Sequence, residues 1–388
     1  MSSGRRIAQF VESLAAGGAE KLAVDIANAL AMRGHETHLI VLDGDGPFRD
    51  RVAGDVRFHD LQRPRPTGAA PARLLDFLGT SRRLNALLRR ERVEVVQTHL
   101  PKANFLGLAA ALGHAGRVHP TVHNTREFDY GDDSGPLRTR LRKAAYRMML
   151  GRCGTMIAVS AAVRSGMVAE LGVGPARADR ITVVDNGVPV PEPTTPDRRA
   201  AARRERGLGP DEFVLAGVGR LTRQKDFASL IEALAGVADM LPPWRCVIAG
   251  EGELRSDLEA AVAAAGLADR VALPGIDRDV AGLQRAADVF CLPSLYEGLP
   301  LALMEAMAAG LPVCAYDIDG TRELVADGVE GLLAPPRDAR TFGENLVRLA
   351  GSPDLRMRLG RAARERILAH HDFRQVVDKL EEVLVRDR

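Results

Sequence analysis

The sequence predicts an α/β protein made of two Rossmann-like, doubly wound domains facing each other across a cleft. Three observations carry that expectation. Short β-rich apolar runs alternate with amphipathic helical stretches along the chain, the pattern of parallel sheets covered by helices. A proline-rich stretch, Pro189 to Pro196, interrupts the alternation near the middle, and the same pattern restarts after it. A length of 388 residues suits two domains of about 150–200 residues better than one. The expected division is residues 1–190, residues 191–370 and a terminal segment, 371–388, carrying an amphipathic helix.

The elements follow in order. Arg6 to Val11 reads as a strand, and a loop through Gly17-Gly18 leads into a helix with Leu22, Ile26, Ala29 and Leu30 at helical spacing. Gly34 closes that helix. Strands are expected at Thr37–Leu42, Val93–Gln97, Val118–Val122, Thr155–Val159 and Ile181–Val184. The second half repeats the pattern at Phe213–Gly217, Arg245–Ile248, Val271–Leu273, Val289–Leu292 and Val313–Ala315. Phe373 to Val385, with apolar Val376, Val377, Leu380 and Leu384, reads as the last helix.

Composition removes several classes of function. One Trp and four Tyr are too few for base-stacking platforms, so no nucleic-acid partner is expected. Four scattered cysteines with no C-x-x-C pair point to reduced thiols in a cytoplasmic setting rather than to a zinc or disulfide framework. The longest apolar run, Gly298 to Ala315, holds Pro300, Glu305 and Pro312 and does not suit a bilayer span. The net charge of +2 hides an asymmetry: residues 1–190 carry 27 basic against 19 acidic side chains, and the remainder 26 against 32. A basic half suits an anionic partner, and charge drift between halves explains it equally well. Only five of the 53 basic residues are lysines.

Four motifs carry chemistry. In Ser294–Val313 a strand ends in a loop, and Pro300 fits the first turn of a helix from Leu301 to about Ala309 that stops at Gly310. The amides at such a helix start form an anion site, framed here by Glu297 and Glu305 with seven residues between them. By spacing alone the pair reads two ways: carboxylates awaiting sugar hydroxyls, or a helix-capping Glu and a solvated one. Gly217–Asp226 follows the first strand of the second half, where Arg220 and Lys225 are flexible cations suited to a diphosphate, and where two surface cations would otherwise be merely solvated. Gly17-Gly18 allows close backbone approach to a ligand, without the G-x-G-x-x-G dinucleotide fingerprint. His99 and the His123-Asn124 pair stand at the ends of successive strands, where a lone His is more often structural than catalytic. No Ser-His-Asp order, H-E-x-x-H or nucleophile elbow supports a simple hydrolase.

Taken together, G-G-A-E, V-H-N, D-N-G-V-P, G-R-L-x-x-x-K and E-G-L-P-L-A-L-M-E-A-M-A-A-G-L-P-V resemble the retaining glycosyltransferases of family 4, glycosyl transferases group 1, with the GT-B fold. The motifs keep their order along nearly the whole chain. The resemblance implies a nucleotide diphosphate sugar as co-substrate, a UDP-sugar before GDP-mannose, and transfer of a hexose or acetamidohexose. Arg220 and Lys225 would neutralise the diphosphate, so neither a metal nor another cofactor is expected. Glu297 would take hydroxyls of the transferred sugar, with backbone amides at Gly298, Leu299, Pro300 and Leu301 nearby. Glu305 would bind the ribose, and the base would rest by Gly275 and Ile276. Gly17 and Gly18 would approach the phosphates from the other domain. His123 would lie by the transferred sugar, with Glu20, His99 and Asn124 on the acceptor side, and the last helix would cross back to the first domain. A UDP-sugar epimerase and a non-catalytic partner subunit are the alternatives.

The acceptor is expected to be a glycan, a lipid-linked saccharide or a natural-product aglycone. Pro136–Leu150 is basic and carries Leu137, Leu141, Ala144, Ala145 and Met148, and a second basic helix carries Arg82, Arg83, Arg89, Arg90 and Arg92. Both read either as peripheral contacts with an anionic membrane, at its inner face, or as solvated helices whose apolar side covers the sheet.

Overall fold

The structure is a computed structural model whose described residues are 4–62, 70–113, 116–128 and 135–385. They divide into two compact units, one of residues up to Asp185 together with Val376 onward, the other Asn186–Gln375.

The first unit is built on β1 (Arg6–Ser13), β2 (Glu36–Asp43), β3 (Arg57–Asp60), β4 (Val95–His99), β5 (Arg117–Val122), β6 (Met156–Ala158) and β7 (Ile181–Val183). They line up as β3-β2-β1-β4-β5-β6-β7, every pair parallel. The second unit holds β8 (Phe213–Val218), β9 (Trp244–Ala249), β10 (Val271–Gly275), β11 (Val289–Leu292), β12 (Val313–Tyr316) and β13 (Gly331–Ala334). Its order, β10-β9-β8-β11-β12-β13, is again wholly parallel. Both are doubly wound Rossmann-like sheets. Helices cover both faces of such sheets, so central strands are apolar throughout, as in the fully buried Val289-Phe290-Cys291-Leu292.

The helix starts and stops lie where local chemistry sets them. Gly17 caps the helix Gly18–Met32, and Gly34 at φ +87 ends it. Pro300 precedes the helix Leu301–Ala308, and Gly310 at φ +84 closes that one. The sequence reading misses β3 and β13. Arg57-Phe58-His59-Asp60 is an edge strand whose polar residues mask the period, and Gly331-Leu332-Leu333-Ala334 is short and begins on glycine. It also sets β4 two residues early, so that His99 ends the strand instead of following it.

The helix that follows the proline-rich stretch, Pro196–Glu205, is anchored by one buried ion pair. Arg203, 5% exposed, donates to Asp288 Oδ2 at 2.7 Å and to the carbonyls of Ala286, Gly209 and Pro210. Asp288 also accepts from the Val214 amide at 2.8 Å and from Arg199 at 2.8 Å, which ties helix, β8 and the start of β11 together. From Val376 onward the terminal helix, Phe373–Val385, belongs to the first unit, where it buries Val376, Val377, Leu380 and Leu384. Its Glu381 and Asp378 hold Arg33 at 2.7 Å each.

A second buried group lies beyond β5. Glu127, 4% exposed, accepts from the Tyr146 hydroxyl, which in turn accepts from Asn104 Nδ2 at 3.4 Å. Burial, reinforced by the charge of Glu12, pushes its carboxyl up to about 8 despite the bond from Tyr146. All four cysteines are buried and unpaired: Cys153 in the first unit, and Cys246, Cys291 and Cys314 in the core of the second. Burial raises each thiol above its ordinary range. Among the described residues no helix is long and apolar enough to cross a membrane.

Arg203→Met leaves the Asp288 carboxylate short of its main partner at a cost of about 3–5 kcal/mol, so the thermal midpoint of the second unit should fall by roughly 6–20 °C. Arg340→Met, at the exposed pair with Glu344, should barely move it; equal losses would refute the anchor. For Glu127, the folded state keeps a proton that the unfolded chain releases near pH 4.5. Its stabilising contribution is complete below that pH and is lost as pH rises through 8, at up to about 1.4 kcal/mol per pH unit. Glu127→Gln should flatten the pH dependence of first-unit stability between pH 5 and 8, measured by thermal unfolding; a slope unchanged from wild type would overturn the assignment.

Candidate active site

Parallel sheets of this order open a crevice outside the carboxyl ends of the strands, at the point where the strand order reverses. In the second unit that point lies between β8 and β11. After β8 the chain turns sharply: the amides of Lys225 and Asp226 both donate to the Thr222 carbonyl, and Asp226 takes φ +47. This turn is fastened to the loop after β11, because Leu295 donates its amide to the Gln224 carbonyl at 2.9 Å and Gln224 Nε2 donates to the Tyr296 carbonyl at 2.9 Å. The result sets the Lys225 ammonium on Glu297 Oε1, with Gln224 Nε2 3.4 Å from Oε2. Glu297 is 7% exposed, so this is a largely desolvated pair. Arg220, on the same β8 loop, is exposed, and its side chain has no hydrogen-bond or ion-pair partner among the described residues.

The neighbouring loops interlock with this one. Gly250, φ +152, packs so closely on the β8 loop that a Cβ there would lie 1.9 Å from the Gly219 carbonyl oxygen. Only glycine allows that approach. The Gly250 amide donates to the Gly275 carbonyl at 2.8 Å, which brings Gly275 and the half-exposed Ile276 to the same edge. On the other side, a Cβ at Gly320 would meet the carbonyl oxygens of Glu297 and Gly298 at 2.7 and 2.8 Å, so the β12 loop presses directly on them. Leu299, Pro300 and Leu301 continue into the helix, and Glu305 is half-buried one turn inside it. The β8, β9, β10, β11 and β12 loops therefore bring Arg220, Lys225, Gly275, Ile276 and the stretch Glu297–Glu305 to one edge of this unit.

In the first unit the reversal lies between β1 and β4, flanked by the loop to Gly17-Gly18 and by His99. His99 is fully buried. Its Nε2 lies 2.7 Å from Gln9 Oε1, and its Nδ1 lies 3.1 Å from His123 Nε2. Gln9 Oε1 only accepts, so His99 donates through Nε2 and presents a lone pair at Nδ1. His123 then donates through Nε2 and offers Nδ1 as an acceptor. Burial pushes His123 down to about 4 and, with His123 beside it, holds His99 well below its ordinary range. Burial therefore disfavours a positive charge on either ring.

His99 is fully buried, hydrogen-bonded to Gln9 and His123, so any effect it has on an acceptor is indirect. Two more of the expected site residues lie in this unit. The Glu20 carboxylate lies close to its own helix start, where a Cβ at Gly17 would lie 2.2 Å from Oε2. Asn124 accepts from the Arg126 amide at 3.1 Å, a local turn. The sequence holds Asp-x-Asp pairs, and the structure engages two of them with arginine: Asp277 and Asp279 with Arg206, Asp317 and Asp319 with Arg322. Among the described residues no group of three His, Cys, Asp or Glu side chains is placed to hold a metal ion. Gln9, Gln224 and Asn186 were not singled out as site residues by sequence reasoning. Of these only Asn186, inside D-N-G-V-P, and Gln224, inside the β8 loop motif, lay in motifs already noted.

Comparisons with known proteins identify the family. The family model for glycosyl transferases group 1 matches residues 198–366, and that for glycosyltransferase family 4 matches residues 16–191. The UDP-Gal:alpha-D-GlcNAc-diphosphoundecaprenol alpha-1,3-galactosyltransferase of Escherichia coli is 29% identical over 352 residues, covering 89% of this chain and 88% of its own. The 2-deoxystreptamine glucosyltransferase of Streptomyces kanamyceticus is 30% identical over 321 residues, covering 78% of this chain and 81% of its own. Among solved structures, that of Anabaena HepE in complex with UDP-glucose superposes with a TM-score of 0.82 at 21% identity, covering 97% of this chain and 99% of that one. With both units matched and a relative at 30% identity across most of its length, the chain belongs to the group 1, family 4 glycosyltransferases of GT-B fold.

Proposed function

We propose that the protein is a retaining enzyme that transfers a hexose or acetamidohexose from a UDP-sugar to a lipid-linked saccharide. The observation that carries this is the Lys225–Glu297 pair at the reversal point of the second sheet, with Arg220 exposed on the same loop. Without ligand the two charges satisfy each other. An incoming diphosphate competes for Lys225, and sugar hydroxyls are the donors able to replace Lys225 at Glu297. Arg220 and Lys225 then stabilise the departing UDP without a divalent cation. As the anomeric carbon–oxygen bond to the diphosphate breaks, a phosphate oxygen accepts the proton of the acceptor hydroxyl, which bonds to carbon on the same face. No side chain need act as nucleophile, and the protein contributes positioning and charge stabilisation. His123, neutral with an acceptor Nδ1, suits a sugar hydroxyl. The names of the galactosyltransferase relative and of the HepE complex, both of which mention UDP-sugars, support the choice of donor.

The lipid-linked acceptor is favoured by the helix Pro136–Arg152. Its inner face is Tyr146, Met149 and Leu150, while Leu137, Leu141 and Met148 are 69%, 62% and 44% exposed. The apolar residues that could have covered the sheet thus form an outward stripe, flanked by exposed Arg138, Arg140, Arg147 and Arg152. Leu74, Leu75 and Leu78, followed by Arg82 and Arg83, make a second such stripe on the helix Ala70–Arg90. Apolar residues among arginines suit the headgroup region of an anionic membrane.

The reading is tested by a thermal-shift panel of nucleotide sugars, in which UDP-sugars should raise the midpoint and GDP-sugars should not. Lys225→Ala and Glu297→Gln should each lower kcat/KM by about 10²–10³, with turnover of the wild type undiminished in chelator. A panel without shifts would remove the donor assignment, and strict metal dependence would remove the cation-free mechanism. Cosedimentation with anionic vesicles should be strong at low salt and should fall on Leu137→Ser/Leu141→Ser; binding indifferent to both would exclude the membrane role.

A further inference from the structure

Leu299 stands just before Pro300, and its carbonyl lies outside the helical ladder, whose first bond runs from the Met304 amide to the Pro300 carbonyl. A buried carbonyl in that position needs a donor from elsewhere. The donor is the side-chain amide of Asn186, whose Nδ2 lies 2.9 Å from the Leu299 oxygen; Asn186 and Leu299 are 5% and 4% exposed. Three residues earlier, Gln224 holds the Tyr296 carbonyl. The two amide side chains thus grip the loop from both ends, with Gly320 pressed against the carbonyls between them.

Asn186 is itself held. Its carbonyl lies 3.3 Å from His371 Nδ1, the Val188 amide donates to the His371 carbonyl at 3.0 Å, and the Phe373 amide donates to the Val188 carbonyl at 3.1 Å. Asn186 is the first residue of the second unit, and Gln375 is its last. The loop that carries Glu297 is therefore fastened to the two segments by which the chain enters and leaves this unit.

We infer that Asn186 is a positioning residue for donor binding, acting through the Leu299 carbonyl to fix the path of Glu297–Leu301. The inference rests on the proposed glycosyltransferase site. Fixing that peptide sets the direction of the neighbouring peptide planes and the place of the Glu297 carboxylate, so its loss should fall on donor affinity more than on folding.

The test compares wild type with Asn186→Ala and with Asn186→Leu, which keeps the branched shape and removes the donating NH2 without adding a charge. In hydrogen–deuterium exchange, amides in 297–301 should exchange about tenfold faster in both variants, the factor of one lost hydrogen bond. The strands of the same unit should be unchanged. KM for the nucleotide sugar should rise about tenfold, with kcat falling much less. If Asn186→Ala does not fold, Asn186→Leu gives the same readouts. Unchanged exchange in 297–301 and unchanged donor KM in a folded variant would overturn the inference. If wild type binds no nucleotide sugar, the site reading fails, and the exchange contrast still decides whether Asn186 orders the loop.

Discussion

Parallel pairing is the constraint on which this molecule depends. Because all strands of a sheet run one way, all the loops that leave them emerge along one edge, and residues far apart in sequence become neighbours there. Lys225 and Glu297 are separated by 72 residues. They meet because β8 and β11 lie side by side where the winding reverses. The same logic brings His99 against His123 at the ends of β4 and β5. Chemistry is concentrated at these edges because parallel connections must cross back over the sheet and leave only their starts at the carboxyl end.

The glycines and amide side chains turn proximity into geometry. Gly250 lets the β9 loop touch the carbonyl of Gly219, and Gly320 does the same for the β12 loop against Glu297 and Gly298. Gln224 and Asn186 then satisfy carbonyls that the helices and strands leave over. An ion pair as desolvated as Lys225–Glu297 gains little over its separated, hydrated charges. Its value is readiness: both groups are already stripped of most water and oriented before any ligand arrives.

Much of this was legible in the sequence, and the limits have physical causes. The doubly wound class follows from apolar runs that have no polar face, which is what strands buried on both sides must be. The helix after Pro300 could be placed because proline and Gly310 mark its ends. β3 could not, since an edge strand keeps one side polar and loses the signal. The role of Glu297 was ambiguous by spacing, and it took the position of Lys225 across the sheet to give that carboxylate its partner. Gln9 and Asn186 carry no spacing signal, because a single neutral amide matters only through what it touches in three dimensions. The inward and outward faces of Pro136–Arg152 were equally unreadable: both contain leucine or methionine, and only packing selects which is covered.

The distribution of cysteines has a practical consequence. One buried thiol lies in the first unit and three lie in the second, all with raised pKa values. A thiol reagent reaches them only when the surrounding core opens, so labelling kinetics report the opening of each unit by itself. Cys153 serves as the clock of one half, and Cys246, Cys291 and Cys314 as that of the other. Ligand protection can thus be assigned to one unit without adding a probe to the protein.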